Sequence, residues 1–198
     1  PLRTTTRDHL YCFKRYSGHR CYYLNLLLPY KPWYKKVPDY ILKIPFDCII
    51  FHGNLLNIQW PPYSLEAFKK RAGKLKSLGA TKVALFQDEY YNTKTIGDFI
   101  NEFGIDYMFS LAPESEWKKL YPQVDFSKVR YFRSLPGYLD EDTIARIQRL
   151  SESAADNRTL DIGYRAYGIR QWLGRHGFLK LRIADVFSKQ ANSPPAVQ

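Results

Sequence analysis

The chain has 198 residues, 30 Lys and Arg against 19 Asp and Glu, and a formal net charge of +11. Its 45% apolar and 16% aromatic content excludes a disordered chain and suits a domain that buries a core. Apolar runs such as Cys48–Phe51 fall far short of the roughly 18 residues needed to cross a membrane as a helix.

In chain order, Thr4–Tyr16 reads as a helix, with Leu10, Phe13 and Tyr16 on one stripe and Gly18 ending it. Cys21–Leu28 is aromatic and apolar, stops at Pro29 and reads as a buried strand. Residues 29–45, with four prolines and many Lys and Tyr, read as an exposed connector. Phe46–His52 is a strand closed by Gly53-Asn54, and Leu65–Leu78 an amphipathic helix ending at Gly79. Lys82–Phe86 is the next strand, with Gln87-Asp88-Glu89-Tyr90 as its polar exit. A helix over Thr95–Phe103 ends at Gly104, and the strand Tyr107–Ser110 follows. Glu114–Leu120 reads as a helix, Val129–Phe132 as a strand and Asp140–Ser151 as a helix capped by Asp140. Residues 151–158 read as a loop, Leu160–Tyr164 as the last strand and Phe178–Lys189 as a closing helix.

Strands and helices alternate, and the strands are nearly continuous apolar runs. That pattern belongs to a parallel sheet covered on both faces by helices, so the expected fold is α/β, a Rossmann-like three-layer domain over residues 1–190. Residues 191–198 are then a tail or a truncated linker. In such sheets the ligand crevice lies beyond the carboxyl ends of the strands. The polar residues at those ends are His52-Gly53-Asn54, Gln87-Asp88-Glu89-Tyr90, Ser110, Gly137-Tyr138 and Tyr164-Arg165.

The charge is unevenly placed. Residues 1–45 carry nine basic and two acidic side chains, residues 46–157 carry 14 and 15, and residues 158–198 carry seven and two. A near-neutral middle flanked by basic ends argues against a nucleic-acid-coating protein and favours phosphorylated ligands or an anionic surface. The three cysteines are odd in number and form no CxxC, which disfavours a disulfide framework and points to a reducing cytoplasm. The polar N-terminal stretch contains no apolar segment of roughly 7–15 residues, so a secretory leader is not expected.

His52 follows four apolar strand residues, where it serves either as a general base at the crevice or as a strand cap. Asp88-Glu89 orients or deprotonates a hydroxyl, or else pairs with a nearby Lys. Arg165, Arg170, Arg175 and His176, with Tyr164, Tyr167 and Trp172 between them, suit either a diphosphate or a solvated basic loop. Tyr30, Lys31, Trp33, Tyr34, Lys35 and Lys36 interleave charge and aromatics, which fits a peripheral membrane contact or a Pro-rich loop packed on the sheet. Asp140-Glu141-Asp142 mimics an acidic metal-holding triplet but opens a helix, where acids satisfy free N–H groups. Histidines 9, 19, 52 and 176 lack zinc-ligand spacing, and no GxGxxG, P-loop or GxSxG motif occurs.

The segment Thr6–His19, followed by Phe46–His52, resembles the opening of bacterial glycosyltransferases of the two-Rossmann-domain (GT-B) type, in the family 1/4-like group. Lys82–Tyr90, Leu135-Pro-Gly-Tyr138 and Leu160–Arg165 resemble later landmarks of that group in the same order. The resemblance implies an N-terminal, acceptor-binding half that transfers a sugar from a nucleotide-sugar to a glycan or lipid-linked acceptor. It implies His52 and Asp88 as catalytic, with Asn54, Gln87, Glu89, Tyr90, Gly137, Tyr138, Tyr164 and Arg165 contacting substrates. It implies no cofactor beyond the nucleotide-sugar, held mainly by a second domain, and no metal. It further implies a missing first strand, a chain that is a fragment or a stand-alone half, and a cytoplasmic site, peripheral at the inner membrane face. The rival expectation is a non-catalytic basic module binding nucleic acid or an anionic membrane.

Overall fold

The computed structural model describes residues 4–26, 37–53, 62–135, 140–154 and 174–191. The chain groups into two compact units, Pro1–Asp140 and Glu141–Gln198, where the sequence pattern is read as one domain over 1–190.

In the first unit the elements are α1 (Thr4–Tyr16), a short α2 (Asp39–Leu42), β1 (Cys48–Phe51), α3 (Pro62–Ala72), β2 (Thr81–Leu85), α4 (Thr93–Phe103), β3 (Tyr107–Ser110), α5 (Glu114–Leu120) and β4 (Arg130–Arg133). A tighter 3₁₀ turn, Gly73–Ser77, continues α3, so the helix expected over 65–78 changes pitch at Gly73. The four strands pair in the order β1-β2-β3-β4, all parallel. The fold class is therefore α/β and Rossmann-like, an all-parallel sheet flanked by helices, as the alternating pattern predicts.

The register explains how the sheet is covered. Phe51, Ala84, Met108 and Tyr131 lie in line across the four strands and so share a face. Phe51 meets Phe68 of α3 and Phe99 and Phe103 of α4 edge-on, at centroid distances of 6.3, 5.3 and 5.6 Å. Tyr131 packs on Trp117 of α5 at 5.0 Å and on Phe126 at 4.6 Å. A sheet that advances one strand at a time through right-handed crossovers sends each connecting helix to the same face. The opposite face carries Ile50, Val83 and Leu85 with a stack of Tyr107, Phe109 and Phe132, and there Ile50 and Phe132 are 40% and 44% exposed.

Two expectations are corrected. Residues 21–26 are irregular, not a strand. Their aromatics make local ring contacts, Tyr22 with Phe46 and Tyr23 with Tyr11, without a hydrogen-bonded ladder, and Leu26 alone is buried. Nor is the whole of 29–45 an exposed connector. Val37 is buried, donates its N–H to the Arg71 carbonyl, and leads into α2. Pro38 immediately precedes that helix, a position where a missing N–H costs nothing.

The second unit contains α6 (Glu141–Ala154) and α7 (Gly174–Ala191), which extend the helices expected over 140–151 and 178–189. Leu160–Tyr164, most of the 151–158 loop and the 192–198 tail lie outside the described residues. No helix among the described residues is long and apolar enough to cross a membrane.

Candidate functional site at the carboxyl ends of the strands

Each strand delivers a polar residue at its carboxyl end because the apolar run stops there. β1 ends at buried Phe51, and His52-Gly53 follows. The backbone of Gly53 lies so close to the β2 exit that a Cβ would sit 3.2 Å from the Leu85 carbonyl oxygen and 3.5 Å from Gln87 Cβ. A side chain here would press on the Leu85 carbonyl, so glycine lets the β1 and β2 exits approach without displacing it.

His52 meets a partner from 43 residues earlier. Its Nε2 lies 3.0 Å from Nδ1 of His9 on α1, with ring centroids 4.7 Å apart. One nitrogen of the pair donates and the other accepts, so the two rings hold one proton between them along this line. Burial, and then the neighbouring His9, push the His52 pKa down to about 4, and burial lowers His9 as well. His52 is therefore neutral near pH 7.

After β2 the chain runs Gln87 exposed, Asp88 half-buried, Glu89 buried and Tyr90 exposed. Asp88 and Asn92 both take left-handed backbone, with φ of 57° and 50°. Such values are sparsely populated outside glycine, and Asp and Asn tolerate them best. Glu89 points inward and is 4% exposed. One carboxylate oxygen accepts from Ser110 Oγ at 2.9 Å and from the Leu111 N–H at 2.6 Å, while the other accepts from the Tyr121 hydroxyl at 2.7 Å. Burial, then the Glu89 charge, drive the Tyr121 phenol far above its ordinary range. The Tyr90 phenol is also held high, first by desolvation and then by Asp88.

The structure therefore joins His52 to His9, Gly53 to Gln87, and Glu89 to the end of β3. Glu89 is placed within the protein, bonded to the chain's own donors. Asn54, Gly137, Tyr138, Tyr164 and Arg165 lie outside the described residues, as do Tyr30, Lys31, Trp33, Tyr34, Lys35 and Lys36. Arg175 heads α7 in the second unit.

Two participants were not singled out from the sequence. His9 shares a helical face with Phe13, four residues on, and their rings lie 5.9 Å apart. That spacing was the available signal. Tyr121 had none, since an aromatic just past a helix gives no hint of a buried carboxylate. Among the described residues no three His, Cys, Asp or Glu side chains cluster as a metal site. No family model, curated protein or solved structure matches this chain.

Proposed function

We propose that this chain is the acceptor-binding part of a sugar-transferring enzyme, moving a sugar from a nucleotide-sugar to a hydroxyl of a glycan or lipid-linked acceptor. The observation that carries the reading is the neutral His9–His52 pair at the carboxyl end of a parallel sheet, where such folds bind ligands. The resemblance to two-Rossmann-domain glycosyltransferases points the same way.

In the proposed step the acceptor oxygen bonds to the anomeric carbon of the donor. The bond from that carbon to the diphosphate oxygen breaks, and the diphosphate leaves with the electron pair. The acceptor proton passes to an imidazole nitrogen of the His9–His52 pair. A neutral imidazole can take that proton, and the negative diphosphate beside it raises the ring's affinity for it. Asp88 orients the acceptor hydroxyl, and exposed Tyr90 and Gln87 line its approach. The resemblance adds Asn54, Gly137 and Tyr138 as further acceptor contacts, with the nucleotide-sugar held mainly by a second Rossmann-like domain. The enzyme works in the cytoplasm at the inner membrane face, with the basic aromatic segment 30–36 against the bilayer.

The test is transfer of radiolabelled sugar from a panel of nucleotide-sugars to an oligosaccharide and lipid-linked acceptor panel, with the chain joined to the domain that holds the nucleotide-sugar. His52→Ala and Asp88→Ala are each expected to reduce turnover by about 10²-fold or more while circular dichroism stays native. Turnover at the wild-type rate in both variants sinks the assignment.

A further inference from the structure

The loop 87–92 holds two left-handed residues that are not glycine, Asp88 and Asn92. Backbone of this kind persists only where its surroundings over-determine it. Between the two lies the one acid of the loop that is removed from solvent. Glu89 ties the loop to Ser110 and Leu111 at the end of β3 and to Tyr121, the residue that follows α5. Ser110 Oγ in turn accepts from the Ala112 N–H at 3.1 Å, and the Tyr121 N–H donates to the Trp117 carbonyl at 2.9 Å. The carboxylate thus sits at the hub of two anchored elements. Burial, and then the Glu89 charge, hold the proton on the Tyr131 hydroxyl of β4, which has no hydrogen-bond partner among the described residues.

We propose that Glu89 is a positioning residue for acceptor recognition. Its buried carboxylate, fastened to Ser110, Leu111 and Tyr121, holds Asp88 in its left-handed turn and Tyr90 outward, so the two meet the acceptor from a fixed loop. Tyr90, 63% exposed two residues beyond Asp88, supplies an aromatic face of the kind that packs on a sugar ring, while Asp88 supplies a carboxylate for its hydroxyls. A carboxylate is needed at position 89 because it alone accepts from all three donors. Glutamine would turn an N–H group toward one of them. This inference rests on reading the crevice as an acceptor site.

The experiment pairs two readouts on the whole chain: amide hydrogen exchange, and binding to an array of mannose-, galactose- and N-acetylglucosamine-terminated oligosaccharides. In Glu89→Gln, amides 87–92 and 111 are expected to exchange about tenfold faster, while those of β1, β2 and β3 keep their protection. Array affinity falls about tenfold, with Glu89→Ala worse than Glu89→Gln in both readouts. Should Glu89→Ala fail to fold, Tyr121→Phe and Ser110→Ala each remove one donor and are expected to give the same pattern at smaller amplitude. Loop exchange at the wild-type rate in Glu89→Gln overturns the positioning role. A loosened loop with unchanged saccharide affinity confines Glu89 to the fold and overturns its link to the acceptor. A wild-type chain that binds no saccharide overturns the acceptor reading itself, and that result is visible without any variant.

Discussion

At the amino-terminal end of the sheet, Asp106 takes the Lys82 backbone N–H at 2.7 Å, and Lys82 turns its ammonium back to the Leu78 carbonyl at 2.9 Å. A cavity of about 430 Å³ opens there, lined among others by Asn101, Asp106, Gln123, Asp125 and Lys128. At the carboxyl end the acid is buried, a histidine pair takes the place of Lys82, and strained backbone replaces ordinary turns. The chain enters β3 from α4 through Gly104, left-handed at φ 62°, whereas it leaves β2 through Asp88 at φ 57°. Both points need the same backbone. Glycine adopts it without penalty at position 104, and aspartate tolerates it at position 88. Among the described residues, this cavity and the histidine pair thus lie at opposite ends of the sheet.

The largest expected effect comes from the core that carries the carboxyl end. Phe51 immediately precedes His52 and is 2% exposed among Phe68, Phe99 and Phe103. Phe51→Ala should cost about 3–5 kcal/mol in chemical denaturation. A loss below about 1 kcal/mol would mean that the carboxyl end does not rest on this cluster.

The strands and their exits were legible in the sequence because apolar runs end abruptly at polar residues. His52, Gln87 and Asp88 could therefore be placed at one end of the sheet before any coordinates. The His9–His52 contact was not legible, because nothing local links residues 43 apart. The burial of Glu89 was not legible for a related reason, since acids are expected outside and its three donors come from the end of β3 and the turn after α5. Cys21–Leu28 shows the opposite failure. Apolar content alone does not make a strand where aromatic rings settle on α1 and Phe46 instead of on a neighbouring ladder.

The second expected effect separates the two ends by pH. His52 has a folded pKa of about 4 against an ordinary 6.5, so between those values the unfolded chain binds more protons than the native one. Its contribution is complete above about pH 6.5 and is lost as pH falls toward 4. His9, lowered by burial, adds to the same slope. At the amino end, the Ser127 hydroxyl and N–H, then Lys128, hold Asp125 below the usual carboxylate range, so its contribution is lost only in stronger acid. Melting temperature should therefore fall between pH 6.5 and 4.5 in the wild type and fall less steeply over that window in His52→Gln. An unchanged slope in the variant would remove the histidine pair as the titrating element of the carboxyl end.

The smallest stability effect gives the sharpest contrast between the two left-handed residues. Gly104→Ala places a Cβ on backbone that penalises it, and should cost about 1 kcal/mol or somewhat more. Asp88→Gly relieves the same conformation and should leave thermal stability within about 1 kcal/mol of wild type, offset by the greater freedom glycine has when unfolded. If the carboxylate is present for a ligand, this near-neutral change must still abolish saccharide binding on the array. A fall of several kcal/mol would instead make Asp88 a structural acid like Asp106. Native stability with full binding would leave its left-handed strain without a reason, because glycine would then serve there as well as it does at position 104.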